Sequence, residues 1–230
     1  LLKELINLNN MKLLFINFVS LVLLACGNQS TQQTVTKPEI ANATPVEVEM
    51  QDGMKKAYFA SGCFWCVEAI YESIEGVDEV ISGYSGGHTK NPTYEESNTG
   101  RTGHAEAVEV IYDPEVVDFR TLVQVFFGSQ NPTQVNGQGP DNGSQYRSII
   151  FFQTEEQKNI INEVKTEVAK NYQKPLAAEI LPFQKFWVAE DYHQNYEKNN
   201  PQNPYIQNVS IPRLNRFKEK FPNILKEDAH

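Results

Sequence analysis

The feature that most constrains the fold of this chain is a glycine–cysteine turn, Gly62-Cys63-Phe64-Trp65-Cys66, between two runs of apolar residues. The run over 56–61 predicts a short buried strand before the turn. The run after the turn predicts a helix to about residue 75, because its apolar residues keep the i, i+3, i+4, i+7 spacing of one helix face. Those residues are Val67, Ile70, Tyr71 and Ile74. The turn is therefore predicted to join a strand to a helix.

The two cysteines of this turn form a C-x-x-C pair. The amide groups and the dipole at a helix N-terminus favour a thiolate there. We therefore expect Cys63 to be the nucleophile, and Cys66, one turn later, to be a more buried thiol that can reach it. Thiol exchange does not need Phe64 and Trp65, so this aromatic pair indicates a pocket for a small apolar group.

The C-x-x-C pair has three other interpretations. A zinc site needs two further ligands, and none of the four histidines is paired at zinc-finger spacing, so no metal is expected. A structural disulfide fits an oxidising compartment. A thioredoxin-type exchange protein usually has tryptophan before its first cysteine and small residues between the two, unlike Phe64-Trp65.

Strands and helices alternate along the rest of the chain. Strands are predicted over 77–83, 105–112, 146–153 and 177–181, and helices over 118–127 and 154–172. Asp118 and Thr154 are the predicted N-caps, and Thr154 with Gln157 has the spacing of a capping box. Long polar loops over 84–104 and 128–145 are typical of functional loops. This order predicts the α/β (α+β) class: a two-layer sandwich with a split βαβ, ferredoxin-like core and long functional loops.

The composition limits the classes of partner. Twenty basic and 29 acidic residues give the 230-residue chain a net charge of −9, which argues against a nucleic-acid partner. A hydrophobic content of 40% is enough for a sizeable core, and the length suits one domain, expected over 54–230. We expect a monomer.

The N-terminal segment is predicted to lie outside that domain. A short apolar run follows Met11-Lys12 and ends in Leu23-Leu24-Ala25-Cys26, which resembles the lipobox of bacterial lipoprotein signal peptides. Residues 1–25 are interpreted as upstream sequence plus signal peptide, with Met11 as the initiator. Cys26 would then be lipidated, and 26–53 would be a flexible polar tether. The expected location is a bacterial membrane, with the domain periplasmic or surface-exposed.

Six short blocks of the chain contain most of the glycine, aromatic and acidic residues that are candidates for a functional site. They are Gly62-Cys63-Phe64-Trp65-Cys66, Gly83-Tyr84-Ser85-Gly86-Gly87, Asn91-Pro92-Thr93-Tyr94, and the segments 100–106, 138–148 and 189–196. In order and spacing, across about residues 56–215, they resemble the peptide methionine sulfoxide reductase A family. The resemblance implies an oxidoreductase that reduces methionine-S-sulfoxide, free or in oxidised proteins, as a repair activity under oxidative stress.

The resemblance also implies residue roles. Cys63 attacks the sulfoxide sulfur, and Glu106 supplies a proton to the sulfoxide oxygen. Because Glu106 must be kept from water, we expect its pKa to be raised. The substrate-binding residues implied are Phe64 and Trp65 around the methyl group, the hydroxyl donors Tyr94 and Tyr146, the positioning residue Asp141, and Tyr196.

The chain departs from many family members in two places. Where they have a cysteine after the Asn-Pro-Tyr of the tail, Ile206 follows Tyr205 here. Cys66 is then the thiol expected to condense with the sulfenic acid of Cys63, and a thioredoxin-like dithiol to reduce the disulfide; no bound cofactor is expected. Gln130 stands at a usual histidine position, and we expect a structural loop role for it. The alternative function is a membrane-anchored thiol–disulfide oxidoreductase without sulfoxide activity, and an anchored binding module is a further alternative.

Overall fold

The computed structural model describes residues 37–49 and 52–227. Cys26, the lipobox and the predicted signal peptide lie outside these residues. Within the described ranges, no helix combines the length and the apolar character that are needed to cross a bilayer. All of the described residues belong to one compact unit.

A six-stranded mixed sheet forms the centre of the domain. Its strands are β1 (Lys55–Ser61), β2 (Val77–Ser85), β3 (Ala105–Tyr112), β6 (Ser148–Phe152), β7 (Glu179–Pro182) and β8 (Phe186–Val188), and a separate hairpin pairs β4 (Gly137–Gln138) with β5 (Asp141–Asn142). The helices are α1 (Lys37–Ala41), α2 (Phe64–Glu72), α3 (Tyr94–Asn98), α4 (Phe119–Gly128), α5 (Glu155–Ala169), α6 (Tyr196–Asn199) and α7 (Ile211–Lys220). Short 3-10 turns span Ser144–Tyr146, Asp191–His193 and Pro222–Ile224, and a π-helical turn spans Ile206–Ser210.

The strand order is β7-β6-β1-β3-β2-β8. β3 lies antiparallel between β1 and β2, so β1-α2-β2 is a split βαβ unit. β1 likewise lies antiparallel between β3 and β6, so β3-α4-β6 is a second one. The predicted ferredoxin-like core is thus confirmed. Strands β7 and β8 extend it at the two edges, and β8 lies in an apolar stretch that the sequence did not identify as a strand.

The two faces of the sheet bury different residues. One face packs Phe59, Val108 and Val110 against α2, α4 and α5 in the larger core. The other face carries Tyr58 and Phe151, and the ring of Tyr58 stacks on Phe183 at 3.8 Å. This division follows from strand geometry, because consecutive side chains point to opposite faces.

The described part of the predicted tether packs on that second face. Ile40 is buried in the same cluster as Tyr58. The amide of Val46 donates to the carbonyl of Phe183 at 2.8 Å, and the amide of Val48 donates to Oε1 of Gln153 at 2.8 Å. The prediction of a flexible tether over 26–53 is therefore wrong for 39–48. The polar composition of this segment indicated flexibility, but its few apolar residues contact an apolar face of the sheet.

Helix ends agree with the capping predictions in part. The side chain of Asp118 accepts from the amide of Thr121, and that of Thr154 accepts from the amide of Gln157. In α5, however, Oε1 of Gln157 accepts from the amide of Gln153, one residue before the cap. Helix α2 ends at Glu72, before the predicted residue 75, because Ile74 already forms an antiparallel bridge with Leu225.

Candidate active site

The turn between β1 and α2 sets the position of Cys63. Gly62 has a φ of +88°, and a Cβ there would lie 2.6 Å from Cβ of Gln138, so the turn requires glycine. Cys63 is the N-cap residue of α2 and is 7% exposed. The predicted strand-to-helix junction is confirmed.

Glu106 lies next to this turn on the central strand β3. It is opposite Tyr84 of β2 and only 2% exposed. Its Oε2 accepts from the amide of Phe64 at 3.0 Å, and within the described ranges it has no cation at ion-pair distance. Burial raises the pKa of Glu106 to about 8, as the sequence predicted in direction. At neutral pH the side chain is therefore mainly a carboxylic acid, which can donate a proton.

Two tyrosine hydroxyl groups face this acid. Tyr94 begins α3, held by its amide donating to Oε1 of Glu190 at 2.9 Å, and the hydroxyl of Tyr146 donates to Oδ1 of Asn98 at 3.4 Å. Burial raises the pKa of both tyrosines, and the charges of Glu106 and Cys63 add to the effect. Both hydroxyls consequently remain protonated donors.

Aromatic rings form the wall beside Cys63. The ring of Trp65 stacks on Tyr196 with centroids 3.7 Å apart and planes 9° apart, and the ring of Phe64 lies 6.5 Å from that of Tyr94. Indole Nε1 of Trp65 donates to Nδ1 of His193 at 3.1 Å, which fixes the tryptophan ring. His193 was not identified as a site residue from the sequence. These rings provide the apolar surface that the aromatic pair had indicated.

Cys66 lies on a more polar side of the turn. It is 2% exposed, and its Sγ lies 3.8 Å from the hydroxyl oxygen of Tyr205. That hydroxyl donates to Oδ2 of Asp141 at 2.6 Å. Asp141 is thus connected to the thiol of Cys66 through Tyr205. The sequence analysis did not identify Tyr205 as a site residue.

The two thiols are free, and their acidities differ from the sequence expectation. Burial raises the pKa of Cys63, whereas the hydrogen bond from Cys63 lowers the pKa of Cys66 to about 7, with a contribution from the charge of Arg213. The helix N-terminus does not produce a Cys63 thiolate because the side chain accepts no amide hydrogen bond, and the amide of Phe64 donates to Glu106 instead. In the reduced protein, Cys63 therefore holds its proton more tightly than Cys66 does.

The side-chain amide of Gln130 forms hydrogen bonds to three parts of the fold. Its Nε2 donates to the carbonyl of Phe126 at 3.0 Å, and its Oε1 accepts from Gln138 at 3.1 Å and from Ser148 at 2.6 Å. The amide ties α4 to the hairpin and to β6, as the predicted loop role requires. No group of three or more His, Cys, Asp or Glu side chains within 37–49 and 52–227 has a metal-binding arrangement.

Comparisons with known proteins agree with this geometry. The family model described as peptide methionine sulfoxide reductase matches residues 55–225. A peptide methionine sulfoxide reductase MsrA of Pasteurella multocida is 46% identical over 172 residues, which cover 75% of this chain and 99% of that protein. The MsrA of Thermus thermophilus is 45% identical over 170 residues, covering 74% of this chain and 97% of that protein.

Solved structures show the same fold. Mxr1 from Saccharomyces cerevisiae in reduced form is similar with a TM-score of 0.64 and 32% identity, over 68% of this chain and 91% of that one. Methionine sulfoxide reductase A of Corynebacterium diphtheriae is similar with a TM-score of 0.60 and 35% identity, over 70% of this chain and 83% of that one. The range matched by the family model contains the turn, the buried acid and the two tyrosines, and the chain belongs to the peptide methionine sulfoxide reductase family.

Proposed function

We propose that this member of the family reduces the S epimer of methionine sulfoxide, free or in proteins, with Cys63 as nucleophile and Glu106 as acid. Reduction of methionine sulfoxide itself follows from family membership. The observation that carries the residue roles is the buried carboxyl of Glu106, which accepts from the amide of Phe64, the residue after Cys63, at 3.0 Å.

The first step transfers oxygen to Cys63. The sulfur of Cys63 bonds to the sulfoxide sulfur while its thiol proton passes to Cys66, and Glu106 protonates the sulfoxide oxygen. The bond between the two sulfurs and the S–O bond of the sulfoxide then break as the protonated oxygen is transferred to the sulfur of Cys63. Methionine leaves reduced by two electrons, and Cys63 is oxidised by two electrons to sulfenic acid. The hydroxyls of Tyr94 and Tyr146 donate to the oxygen, and the rings of Phe64 and Trp65, with Tyr196 behind Trp65, enclose the methyl group.

The second step closes a disulfide. The sulfur of Cys66 attacks the sulfenic sulfur of Cys63, the S–O bond breaks, and the oxygen leaves as water after taking a proton. A dithiol of the thioredoxin class then reduces the Cys63–Cys66 bond. Asp141 and Tyr205 hold Cys66 in this step through the 3.8 Å and 2.6 Å contacts.

Turnover of each methionine sulfoxide epimer with dithiothreitol tests the activity. We expect the S epimer alone to be reduced; turnover of neither epimer would refute the reductase. Cys63→Ser should abolish turnover, whereas Cys66→Ser should release one methionine per protein and then stop when thioredoxin is the reductant. Normal cycling of Cys66→Ser with thioredoxin would show that the reductant attacks the sulfenic acid directly.

We further propose that Cys26 carries a lipid that holds the domain at a bacterial membrane. The support is the sequence Leu23-Leu24-Ala25-Cys26 after a short apolar run. Expressed in a bacterium from Met11, the protein should fractionate with membranes, and Cys26→Ala should release it. Membrane attachment that survives this substitution would contradict the proposal.

A further inference from the structure

A cavity borders Cys66. It measures about 660 Å³, and its lining includes Cys66, Asp141, Tyr205 and Arg213. None of the residues assigned to the sulfoxide lines it, Asp141 excepted, so it is a separate approach to Cys66. Its outer part carries two exposed cations, Arg216 and Lys220.

Arg213 is the unusual group in this wall. It is 7% exposed, and α7 places its side chain against the turn, so that a Cβ on Gly62 would lie 3.5 Å from its Nη1. Its Nε donates to the carbonyl of Ser129 at 2.9 Å and its Nη2 to Oγ of Ser61 at 3.3 Å. Both partners are neutral.

No carboxylate within the described ranges lies at ion-pair distance from Arg213. Arginine is almost never buried without a partner of opposite charge, and a buried charge left uncompensated is strongly destabilising. The charge of Asp141, which lines the same cavity, acts on Arg213 without forming an ion pair with it. An anion that forms closer to Arg213 during the reaction cycle would compensate its charge further.

Cys66 is the group that supplies such an anion. The titratable and charged groups that act on it are Cys63, Tyr205, Asp141, Glu106 and Arg213. Asp141 is already bonded to Tyr205, and Glu106 is a neutral acid below about pH 8. When the Cys63–Cys66 disulfide is cleaved, by contrast, one sulfur must leave as a thiolate.

We propose that Arg213 is a positioning residue of the recycling step: its guanidinium stabilises the Cys66 thiolate, so that the external dithiol attacks the sulfur of Cys63. This inference rests on the proposed function, in which Cys66 closes the disulfide. The attacking thiolate bonds to Cys63, the Cys63–Cys66 bond breaks, and Cys66 takes the electron pair. The second thiol of the reductant then attacks the mixed disulfide and releases Cys63, which returns both cysteines to the reduced state.

The acidity and exposure of the two sulfurs support this direction of attack. A thiol of lower pKa is the faster leaving group, and the pKa of Cys66 is lowered while that of Cys63 is raised. Cys63 is also the more exposed of the two, at 7% against 2%.

The first test measures the role of Arg213 on Cys66 alone. In a Cys63→Ser background, the rate of Cys66 alkylation by iodoacetamide is followed against pH. Arg213→Gln should raise the pKa of Cys66 by about one unit, since a nearby opposite charge shifts a pKa by about 1–3 units. Arg213→Lys should restore most of the shift, and Arg216→Gln, an exposed cation on the same helix, should leave the profile unchanged. An equal profile for Arg213→Gln, or an equal shift for Arg216→Gln, would overturn the role.

The second test locates the attack in the unmutated protein, so that it does not depend on whether a variant folds. The disulfide is formed with one equivalent of methionine sulfoxide and treated with a monothiol, 2-mercaptoethanol, while freed thiols are alkylated. Fragment masses should place the mixed disulfide on Cys63 and the alkyl group on Cys66; the reverse pattern overturns the inference and leaves the proposed function intact. If methionine is released but no Cys63–Cys66 disulfide forms, the inference fails and the reductase activity stands; if no methionine is released, the proposed function itself fails.

Discussion

Two buried ionisable groups flank the cysteine turn, and they behave in opposite ways. Glu106 on one side and Arg213 on the other are both nearly inaccessible, and within the described ranges neither has a partner of opposite charge at ion-pair distance. Burial raises the pKa of Glu106 to about 8, so this side becomes neutral. Arginine keeps its charge in proteins, so the other side stays cationic.

Because the two groups differ in charge, we assign reduction of the sulfoxide to the side of Glu106 and recycling of the disulfide to the side of Arg213. A neutral acid with the tyrosine hydroxyls of Tyr94 and Tyr146 can donate protons to a leaving oxygen. A fixed cation can instead stabilise a sulfur anion. Burial without an ion-pair partner therefore has two results: it keeps a proton on the carboxyl group of Glu106, and it keeps the positive charge of Arg213 near the thiol of Cys66.

Neutralising the acid should give the largest effect. Glu106→Gln should slow the single-turnover release of methionine by about 10²- to 10⁴-fold, which is the range for loss of a general acid. In the unmutated protein the rate should fall as pH rises through about 8, where Glu106 loses its proton, and this decline should be absent in the variant.

Glu109→Gln on the same strand is the matched control, since Glu109 pairs with Lys56 at 2.8 Å away from the turn. Its pH profile should equal that of the unmutated protein. An unchanged profile in Glu106→Gln would remove Glu106 from the role of acid.

The same carboxyl should make stability depend on pH. The folded pKa of Glu106, about 8, lies above its ordinary value of 4.5, so the folded state binds the proton more tightly. Stability from this group is complete below pH 4.5 and is lost as pH rises towards 8 and above. Glu106→Gln should therefore be more stable than the unmutated protein at pH 9, by at most about 5 kcal/mol, since the folded and ordinary pKa values differ by about 3.5 and each pKa unit contributes about 1.4 kcal/mol.

Denaturant unfolding of both proteins at pH 5 and pH 9 measures this difference. Burial also raises the pKa of Glu68, to about 7, but Glu68 is present in both proteins and its contribution cancels in the comparison. Parallel changes in the free energy of unfolding would show that Glu106 has an ordinary acidity.

Much of the acid side could be predicted from the sequence. The bounds of β3, Ala105–Tyr112, agree with the alternating pattern of that segment, and Glu106 falls next to the turn because β3 lies between β1 and β2. The resemblance of the six sequence blocks to the family also identified Cys63 and Tyr146 as site residues. Local patterns and family blocks are sufficient where a site is built from strands of regular register.

The cationic side could not be predicted in the same way. Arg213 lies on α7, whose sequence Ile211–Lys220 is too polar for a confident core helix, and its burial depends on contacts with Ser129 and Ser61 far along the chain. The expected acidity of Cys63 failed for a related reason. A helix terminus lowers a thiol pKa only if its amides are available, and the amide of Phe64 donates to Glu106.

The smallest expected effect tests the link between Cys66 and Asp141. Tyr205→Phe removes the hydroxyl that lies 3.8 Å from Sγ of Cys66 and donates to Asp141 at 2.6 Å. Since one hydrogen bond contributes about 0.5–1.5 kcal/mol, closure of the disulfide should slow by roughly three- to tenfold. Release of methionine in the first step should change little, because that step depends on the acid side.

Rapid quenching separates the two steps, with methionine measured for the first and loss of free thiols for the second. Tyr58→Phe is the control, since its hydroxyl donates to Glu109 at 2.7 Å and is remote from the turn. Equal slowing of methionine release and thiol loss in Tyr205→Phe would place Tyr205 on the sulfoxide instead. Asp141 accepts from the hydroxyl of Tyr205 and lines the cavity behind Cys66. That result would therefore place Asp141 on the acid side of the turn and not on the cationic side.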